Sequence, residues 1–419
     1  MQQESQGLNR RAFLGAAAFT IINAGLVRGS QANSAVRVGL LGCGGRGTAD
    51  ASSMLTNAGA YVVGLGDLFD DQLQVAKAHF NELATKAGHA GVDDKLIFRG
   101  PEACHEMAAS KGLDAIIVAT PPYFHPEHLG IVVDGGKHVY CEKPVAVDVP
   151  GTHRVRIAGE KAGGKLSLEV GFQIRNAPPF VELVRRIHNG DLGEIASGAA
   201  YYYCPYIDAP HPDAPKDVYR LRNWIHDKVL SGDIIVEQNI HAIDICNWVL
   251  KGHPVKASGV GSGKGRPDNC LSNTSVSFTY PDDVHVSFSS TQFGKCDFDV
   301  NERFFGTLGS SSSPYSGNLG IVGEHAWKWT APAKQEGAGF SASGTFADNL
   351  SDADGEKHKS FIQSITSGQF HNQAELGIES SLSAMLGRTA IYTGKEVTWD
   401  QLLHSKEVWD AKLDLNKIT

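Results

Sequence analysis

The sequence predicts an α/β fold with a doubly wound parallel sheet in its first half and an α+β domain with a large, mainly antiparallel open sheet in its second. Two observations predict this. From residue 36 to 165, short apolar runs rich in β-branched residues alternate with helix-compatible segments, which is typical of a parallel sheet covered on both faces. From about residue 194, apolar and polar residues alternate between Gly, Pro and Asp turns, which is typical of a sheet with one exposed face.

Composition excludes several classes of protein. The chain has 419 residues, 42% hydrophobic and 20% charged, which is ordinary globular usage and long enough for two domains. Lys and Arg number 38 against 46 Asp and Glu, and no basic run occurs outside the extreme N-terminus, so we expect no nucleic-acid partner. The seven cysteines show no C-x-x-C spacing, so we expect neither a metal site nor a disulfide framework.

Residues 1–35 are predicted to be an export signal. Asn9-Arg10-Arg11-Ala12-Phe13-Leu14 opens an apolar run that ends at Val27, followed by a small polar stretch. The paired arginines before Phe-Leu resemble a Tat signal, which predicts a periplasmic protein. The run is shorter than the roughly 20 apolar residues of a membrane span, so no stable membrane insertion is expected after cleavage.

The first element of the fold is a strand at Val36–Leu41, which runs directly into a G-x-G-x-x-G turn and a helix-compatible stretch. Gly42 permits the tight turn, Gly44 lets backbone amides approach a pyrophosphate, and Gly47 lets the helix pack on the strand. This pattern predicts a Rossmann-like dinucleotide-binding domain over residues 36–165. Its expected cofactor-binding residues begin with Gly42, Cys43, Gly44, Gly45, Arg46 and Gly47.

A second strand, Tyr61–Leu65, leads to Asp67, twenty residues past Gly47. An acid at this spacing accepts hydrogen bonds from the adenosine ribose. No Lys or Arg occurs between Asp67 and Lys77, so NAD is favoured over NADP as the cofactor. The alternative is that Asp67 caps the helix that starts near Asp70.

Further strands are expected at Leu96–Phe98, Asp114–Ala119 and His138–Tyr140. The second of these ends at Thr120-Pro121-Pro122, and open α/β sheets bind ligands at the carboxyl ends of their strands. Thr120 and Pro121 are therefore expected at the cofactor. His125 is either a site residue or a helix-start histidine, and for His128 the helix-start interpretation is favoured.

The strand at 138–140 ends in Cys141-Glu142-Lys143-Pro144, which places Glu142 and Lys143 beside the expected nicotinamide. Here the sequence resembles the Gfo/Idh/MocA oxidoreductases, which act mainly on sugars and cyclitols. The resemblance extends to about Trp399 and rests on four motifs: the Gly42–Gly47 turn, Ala119-Thr120-Pro121, Gly136-Lys137-His138-Val139 and, most specifically, Glu142-Lys143-Pro144. Arg388–Trp399 looks like the tail of exported members.

The second half, residues 166–419, is expected to bind substrate and to support oligomers. After a strand at Leu166–Val170, Arg175 resembles the family arginine that either binds substrate hydroxyls or forms an inter-domain ion pair. Tyr203 and Trp224 are candidate platforms for a sugar ring, although aromatic residues in strands are more often core. The expected strands of the open sheet are Ile195–Tyr203, Val255–Gly261, Ser275–Tyr280, Val284–Thr291 and Phe304–Leu308.

The strongest motif of the second half runs from Ser231 to Asp244. Glu237 and His241 are four residues apart, so on a helix the carboxylate would orient the imidazole. The resemblance implies Asp-x-x-x-His here, so Glu237 is a departure while His241 matches. Asn239 is a candidate substrate ligand, and no third residue completes a metal site.

Helices at Glu356–Thr366 and Glu375–Tyr392 close the chain and are expected to pack back on the first domain. Two stretches between the open sheet and these helices, 310–316 and 332–354, are expected to be surface excursions.

The resemblance implies that His241 removes a proton from a substrate hydroxyl while Lys143 stabilises the reacting oxygen and the hydride passes to NAD. Three functions remain open. They are an oxidoreductase for a sugar, glycoside or cyclitol with a retained cofactor, a redox-neutral enzyme that cleaves glycosides through transient oxidation, and a non-catalytic exported sensor. The expected partner is a small carbohydrate, and the exposed sheet face predicts a homo-oligomer, either a dimer or a tetramer.

Overall fold

The computed structural model of the protein describes residues 35–330, 344 and 346–418. The predicted export signal therefore lies outside the described residues, apart from Ala35, and so does most of the stretch expected as an excursion at 332–354.

Six parallel strands form the first sheet, in the order β3-β2-β1-β4-β5-β6. This is the strand order of a dinucleotide-binding doubly wound sheet, with the switch point between β1 and β4. The strands are β1 (Arg37–Leu41), β2 (Tyr61–Asp67), β3 (Ile97–Arg99), β4 (Ala115–Val118), β5 (His138–Cys141) and β6 (Leu168–Val170). The helices between them are α1 (Gly45–Ala58), α2 (Asp70–Ala87), α3 (Ala103–Ala109), α4 (His125–Asp134) and α5 (Val149–Ala162).

Nine strands form the second sheet, in the order β14-β13-β12-β11-β7-β10-β9-β8-β15, and every pair is antiparallel except β7 with β10. Both sheets confirm the predicted fold class. The stretch 310–316, expected to be a surface excursion, instead begins within a strand. Ser310–Ser312 pair with residues 303–305 on one side and with residues 320–322 on the other. The Gly- and Ser-rich sequence shows no strand pattern at this point. The strands are β7 (Ile195–Cys204), β8 (Lys256–Ser262), β9 (Asn273–Thr279), β10 (His285–Gln292), β11 (Asp299–Gly306), β12 (Gly309–Ser312), β13 (Gly320–Gly323), β14 (Trp327–Lys328) and β15 (Val397–Thr398).

The helices of the second half are α6 (Pro178–His188), α7 (Lys216–Arg222), α8 (Lys228–Ser231), α9 (Ile234–Glu237), α10 (Ile240–Leu250), α11 (Ala353–Ser367), α12 (Ala374–Thr393) and α13 (Trp399–Leu403). Short 3-10 turns lie at Asp94–Leu96, Pro122–Phe124, Gln173–Asn176, Trp224–His226, Pro281–Asp283, Asp348–Leu350 and Leu415–Lys417. In the region that the structure describes, no helix is both long enough and apolar enough to cross a bilayer.

The two closing helices join the halves. Helix α11 packs on α1, directly behind the glycine turn. Helix α12 lies between the sheets: a side chain at Gly377 would collide with Val145 of the first half, and one at Gly387 would collide with Phe278 of the second sheet. Because the backbone of α12 lies close to both halves, this helix fixes the width of the crevice between the two sheets.

Candidate active site

The glycine turn after β1 has the shape needed to hold a pyrophosphate. Gly42 has a φ of 94°, and a Cβ there would lie 2.6 Å from the Ala119 carbonyl oxygen. At Gly44 a Cβ would meet nothing within 4 Å, so the backbone faces open space. Helix α1 begins at Gly45, so its unpaired amides and positive dipole end face the same space. The residues present fit a dinucleotide.

This turn lines a cavity of about 660 Å³. Asp67 lines the cavity after β2, and Thr120 and Pro121 line it after β4. The second half covers the cavity with residues between Ile207 and Ile225, and Leu415 near the end of the chain also lines it. His128, which the sequence assigned to a helix start, lines the cavity too and lies 2.9 Å from the Thr120 hydroxyl through Nδ1.

Asp67 is held at the end of β2 by two backbone amides. Its Oδ2 accepts a hydrogen bond from Cys43 N (2.7 Å) and its Oδ1 accepts one from Phe69 N (2.9 Å). Burial raises the pKa of Asp67. The N-cap of α2 is Phe69, not Asp67. Cys43 does not line the cavity, because its thiol turns towards the Gly66 carbonyl oxygen, and its contribution is the amide that orients Asp67.

A smaller cavity of about 120 Å³ adjoins the first and contains the residues predicted to be catalytic. Arg46, Thr120 and Trp224 line both cavities, so the two spaces meet at the carboxyl end of the parallel sheet. Both apolar and polar side chains line the smaller cavity. Its lining includes Glu142, Lys143, Gln173, Tyr202, Ile207, Glu237, Gln238, His241 and Phe346.

Lys143 reaches across the crevice to the second half. Its Nζ donates hydrogen bonds to the Glu237 carbonyl oxygen (2.7 Å) and to Glu237 Oε1 (3.2 Å). Both side chains are 11% exposed. The ammonium is therefore fixed at the cavity by a residue of the other domain.

His241 lies in α10, and its ring is perpendicular to the Phe172 ring, with 6.5 Å between the two ring centres. Burial, and then the positive charge of Lys143, hold the pKa of His241 well below its ordinary value. A neutral imidazole is able to accept a proton, which suits a general base. Its Nδ1 is buried without a hydrogen-bond partner among residues 35–330, 344 and 346–418.

The expected contact between Glu237 and His241 is wrong. Helix α9 ends at Glu237 and α10 begins at Ile240, so the two residues do not share one helical face. The Glu237 carboxylate pairs with Lys143 instead.

Glu142 links the active site to a buried charged cluster. Its Oε1 accepts from Tyr140 OH (3.0 Å) and Arg46 Nε (3.1 Å), and its Oε2 accepts from Lys143 N (3.1 Å). The charged cluster comprises Arg46, Asp50, Glu142, Asp354, Lys357 and His358.

Within the charged cluster, Arg46 contacts Asp50 at 2.6 Å and Asp354 at 2.7 Å, so its side chain is committed to carboxylates and not to a phosphate. Lys357 has no exposed surface and lies 3.2 Å from Asp354. Burial alone would raise the pKa of Asp50, but the charges of Arg46 and Lys357 outweigh it and lower the pKa to about 2. Sequence reasoning missed Asp50, Asp354, Lys357 and His358, because on their helices they are ordinary polar residues.

His125 joins two loops at the edge of the smaller cavity. Its Nδ1 lies 2.7 Å from the Pro144 carbonyl oxygen and its Nε2 lies 2.6 Å from the Thr120 carbonyl oxygen. The ring is buried, and it holds the Lys143-Pro144 loop beside the Thr120 loop. Its role in the structure is to position these loops.

Three predicted substrate residues do not line either cavity. Arg175 forms a two-point ion pair with Asp244 (2.8 and 2.9 Å). Both residues belong to the second half, so the pair is structural but is not the expected inter-domain one. The hydroxyl groups of Tyr203 and Ser289 form a hydrogen bond (2.8 Å) on the open face of the second sheet. Because side chains alternate along β7, it is Tyr202 that faces the cavity. Asn239 is fully buried behind the site.

Gln238 is a site residue that sequence reasoning missed. It lines the smaller cavity, and its Nε2 donates to the Cys204 thiol at 3.4 Å. Its Oε1 is buried without a partner in the part of the chain that the structure describes. The sequence offered one indication of this role, since Gln238 lies between Glu237 and the helix that contains His241.

Two family models match the two halves of the chain. An oxidoreductase family model with an NAD-binding Rossmann fold matches residues 36–170, and the GFO/IDH/MocA C-terminal domain matches residues 180–312. The chain belongs to the GFO/IDH/MocA oxidoreductase family. Family membership agrees with the glycine turn, the Glu142-Lys143-Pro144 motif and the two-sheet architecture described above.

Similar GFO/IDH/MocA proteins include inositol dehydrogenases. Inositol 2-dehydrogenase of Rhizobium meliloti is 28% identical over 224 residues, which cover 53% of this chain and 57% of that protein. Inositol 2-dehydrogenase 1 of Saccharopolyspora erythraea is 27% identical over 287 residues, 66% of this chain and 73% of that one. Scyllo-inositol dehydrogenase of Lactobacillus casei, solved with NAD(H) and scyllo-inositol, shares the fold with a TM-score of 0.66, 18% identity, and coverage of 87% of this chain and 99% of that one.

Proposed function

We propose that the chain is an NAD-dependent oxidoreductase that oxidises a hydroxyl of a sugar, glycoside or cyclitol, or reduces the corresponding carbonyl group. One observation carries the proposal. The ammonium of Lys143 and the neutral imidazole of His241 line one small cavity that opens into the nucleotide cavity. The names of the similar inositol 2-dehydrogenases support the substrate class.

Each group of the site has a distinct task in this reaction. His241 accepts the proton of the substrate hydroxyl, since its lowered pKa keeps the imidazole unprotonated at neutral pH before the reaction. Lys143 donates a hydrogen bond to the same oxygen and stabilises its developing negative charge. Glu237 holds the ammonium in place from the second half. An NAD held by the glycine turn and Asp67 would supply the acceptor for the hydride of the carbinol carbon.

The charge balance of the smaller cavity favours a neutral substrate. Its two lining cations, Lys143 and Arg46, are both paired with carboxylates. Trp224 and Phe346 supply apolar walls, and Gln238 supplies an acceptor that has no partner among the described residues. A polyol ring with free hydroxyls matches this arrangement of apolar faces and hydrogen-bonding groups better than a phosphorylated or carboxylated sugar.

We further propose that the protein is exported through its twin-arginine leader to the periplasm and retains its nucleotide between turnovers. The cover over the large cavity supports retention. Arg220 of the cover donates to the Ala411 carbonyl oxygen (2.8 Å) and so joins the cover to the tail. The tail is also anchored on the first half through Trp409 N and Asp148 Oδ2 (2.9 Å). These contacts hold the cover and the tail at the cavity, which supports a nucleotide that stays bound between turnovers.

The proposed homo-oligomer would form through the open face of the second sheet. Strand register places Val260, Ser275, Ser289 and Tyr201 in one row across four neighbouring strands of this face. Val260 is 71% exposed in the single chain. Small side chains and exposed apolar residues on a flat face support burial against a second copy. Light scattering that reports a monomer for the purified protein would contradict this assignment.

One experiment tests the proposed activity directly. The purified protein is denatured, and any released nucleotide is identified by chromatography and mass spectrometry. The native protein is then given a panel of neutral sugars and inositols while the absorbance of the reduced nicotinamide is followed. We expect NAD(H) to be released and the absorbance to rise with at least one polyol. A protein that binds no nucleotide and reduces none would contradict the proposal.

A further inference from the structure

The adenosine end of the nucleotide cavity contains a cation that the sequence around Asp67 does not reveal. Arg222, at the end of α7, lines the large cavity together with Asp67 and Phe69. Its guanidinium carbon lies 3.9 Å from the centre of the Phe69 ring. Its two terminal nitrogens bind the two carboxylate oxygens of Asp71 at 2.7 and 2.8 Å.

Asp67 and Arg222 are electrostatically linked. Burial raises the pKa of Asp67, while the positive charge of Arg222 acts to lower it. Phe69 connects the two groups, because its amide donates to Asp67 Oδ1 and its ring supports the guanidinium. A cation from the second half therefore lines the same cavity as Asp67, and Phe69 contacts both residues.

The present partner of Arg222 is easily replaced. The Asp71 side chain is 58% exposed, and an ion pair with an exposed carboxylate contributes little net free energy because water competes for both groups. A phosphate offers the same planar guanidinium a two-point, charge-assisted contact with a doubly charged group. Arg222 is only 16% exposed, so such a contact would form largely out of water.

We propose that Arg222 is a binding residue for the 2′-phosphate of NADP, so that this site accepts both nucleotides. Asp67 favours NAD by binding the free ribose hydroxyl, and Arg222 offsets the repulsion between Asp67 and a 2′-phosphate by exchanging Asp71 for the phosphate. The proposal rests on the proposed nucleotide site and concerns which nucleotides that site accepts.

The test compares NAD and NADP affinities by isothermal titration of the full chain after charcoal treatment has removed copurified nucleotide. Arg222→Met removes the charge but keeps an apolar stem on Phe69. Losing one charge-assisted two-point contact is expected to weaken NADP binding about tenfold or more and NAD binding less than about threefold. Arg222→Lys keeps the charge without the planar fork and is expected to lie between the two.

Asp71→Asn is the matched variant with the opposite expectation. It weakens the hold on Arg222, keeps the Phe69 ring in place and removes a negative charge that acts to raise the pKa of Asp67. NADP binding should therefore tighten, while NAD binding should change by less than about threefold. Thermal unfolding of each variant shows whether the fold is intact.

Two results would overturn the assignment. The first is a wild-type chain that binds NAD but no NADP, and the second is an Arg222→Met variant that weakens both nucleotides equally or neither. Either result leaves the proposed oxidoreductase function untouched. A wild-type chain that binds neither nucleotide would instead contradict the proposed function itself.

Discussion

The Glu237 carboxylate lies 3.2 Å from the Lys143 ammonium, and the carbonyl oxygen of the same residue lies 2.7 Å from it. One residue of the second half thus fixes the position of a motif lysine from the first half. The additional methylene of Glu relative to the Asp implied by the family resemblance lengthens the side chain that forms this bridge between the domains.

Glu237→Gln should reduce turnover by about tenfold while nucleotide affinity and thermal stability stay near wild type, because a neutral amide orients the ammonium less strongly than a carboxylate. Steady-state kinetics on the active polyol and nucleotide titration measure the two effects. Glu237→Asp is the matched control, since it keeps the charge and shortens the reach by one methylene. Unchanged turnover in Glu237→Gln would show that the carboxylate does not position Lys143.

Lys143→Met and His241→Ala should each lower turnover by about 10²–10⁴-fold, the usual contribution of one acid–base group, with little change in nucleotide affinity. The low pKa of His241 gives a second readout. Because the imidazole stays neutral well below its ordinary pKa, wild-type activity should persist as the pH falls through 6.5. In Lys143→Met the residual activity should fall off at a higher pH, since one cause of the lowered pKa is gone. Either variant keeping near wild-type turnover would remove that residue from the mechanism.

Asp67→Ala should weaken NAD binding and narrow the difference between NAD and NADP affinities, because the carboxylate that favours the free ribose hydroxyl is lost. Titration with both nucleotides measures the ratio. A ratio that stays at the wild-type value would mean that Asp67 does not face the ribose.

Lys357→Met should destabilise the protein by about 3–5 kcal/mol, the usual cost of removing one partner from a buried group of charges. The cause is that Asp50, Asp354 and Glu142 keep their negative charges with one fewer cation near them. Lys359 lies on the same helix, is 51% exposed and pairs with Glu356, so Lys359→Met is the matched control and should change stability by less than about 0.5 kcal/mol. Denaturant unfolding compares the two, and equal effects would contradict the assigned role of the charged cluster.

Glu302→Gln should make stability less dependent on pH. Glu302 is fully buried, and burial raises its pKa to about 8 in the folded protein from 4.5 as its ordinary value. Between pH 4.5 and 8 the unfolded chain has lost this proton while the folded chain keeps it. The free energy of unfolding therefore falls by about 1.4 kcal/mol for each pH unit in this range. Gln mimics the protonated form, and the gain in melting temperature over wild type should therefore grow with pH in this window. A constant difference between pH 5 and 8 would contradict the raised pKa.

Local patterns predicted much of this molecule. The glycine turn, the position of Asp67 and the Glu142-Lys143-Pro144 segment could be found from the sequence because each depends on a strand end and a few neighbouring residues. Tyr202 and Tyr203 mark the limit of this reasoning. Both are aromatic residues in one strand, and only the register of β7 decides which of them faces the crevice.

Long-range contacts could not be predicted. Arg222 and Asp71 are separated by 151 residues, and Arg46 and Asp354 by 308. No periodicity connects such pairs, because each forms only after α7 and α11 have packed against the first domain. The break between α9 and α10 could not be predicted either, because the sequence of this segment suits a continuous helix. In the structure α9 ends at Glu237, and the Glu237 side chain turns to Lys143.

The tail residue Leu415 lines the nucleotide cavity, and this has a consequence for the order of events during synthesis. The glycine turn leaves the ribosome more than 300 residues before Leu415 does. The nascent first domain can therefore form its phosphate turn early, while the site still lacks its cover. The lining from the second half and from Leu415 is added only when those later parts of the chain have folded. For the proposed retained nucleotide, we therefore expect tight binding by the completed chain and weaker binding by a chain that ends before Leu415.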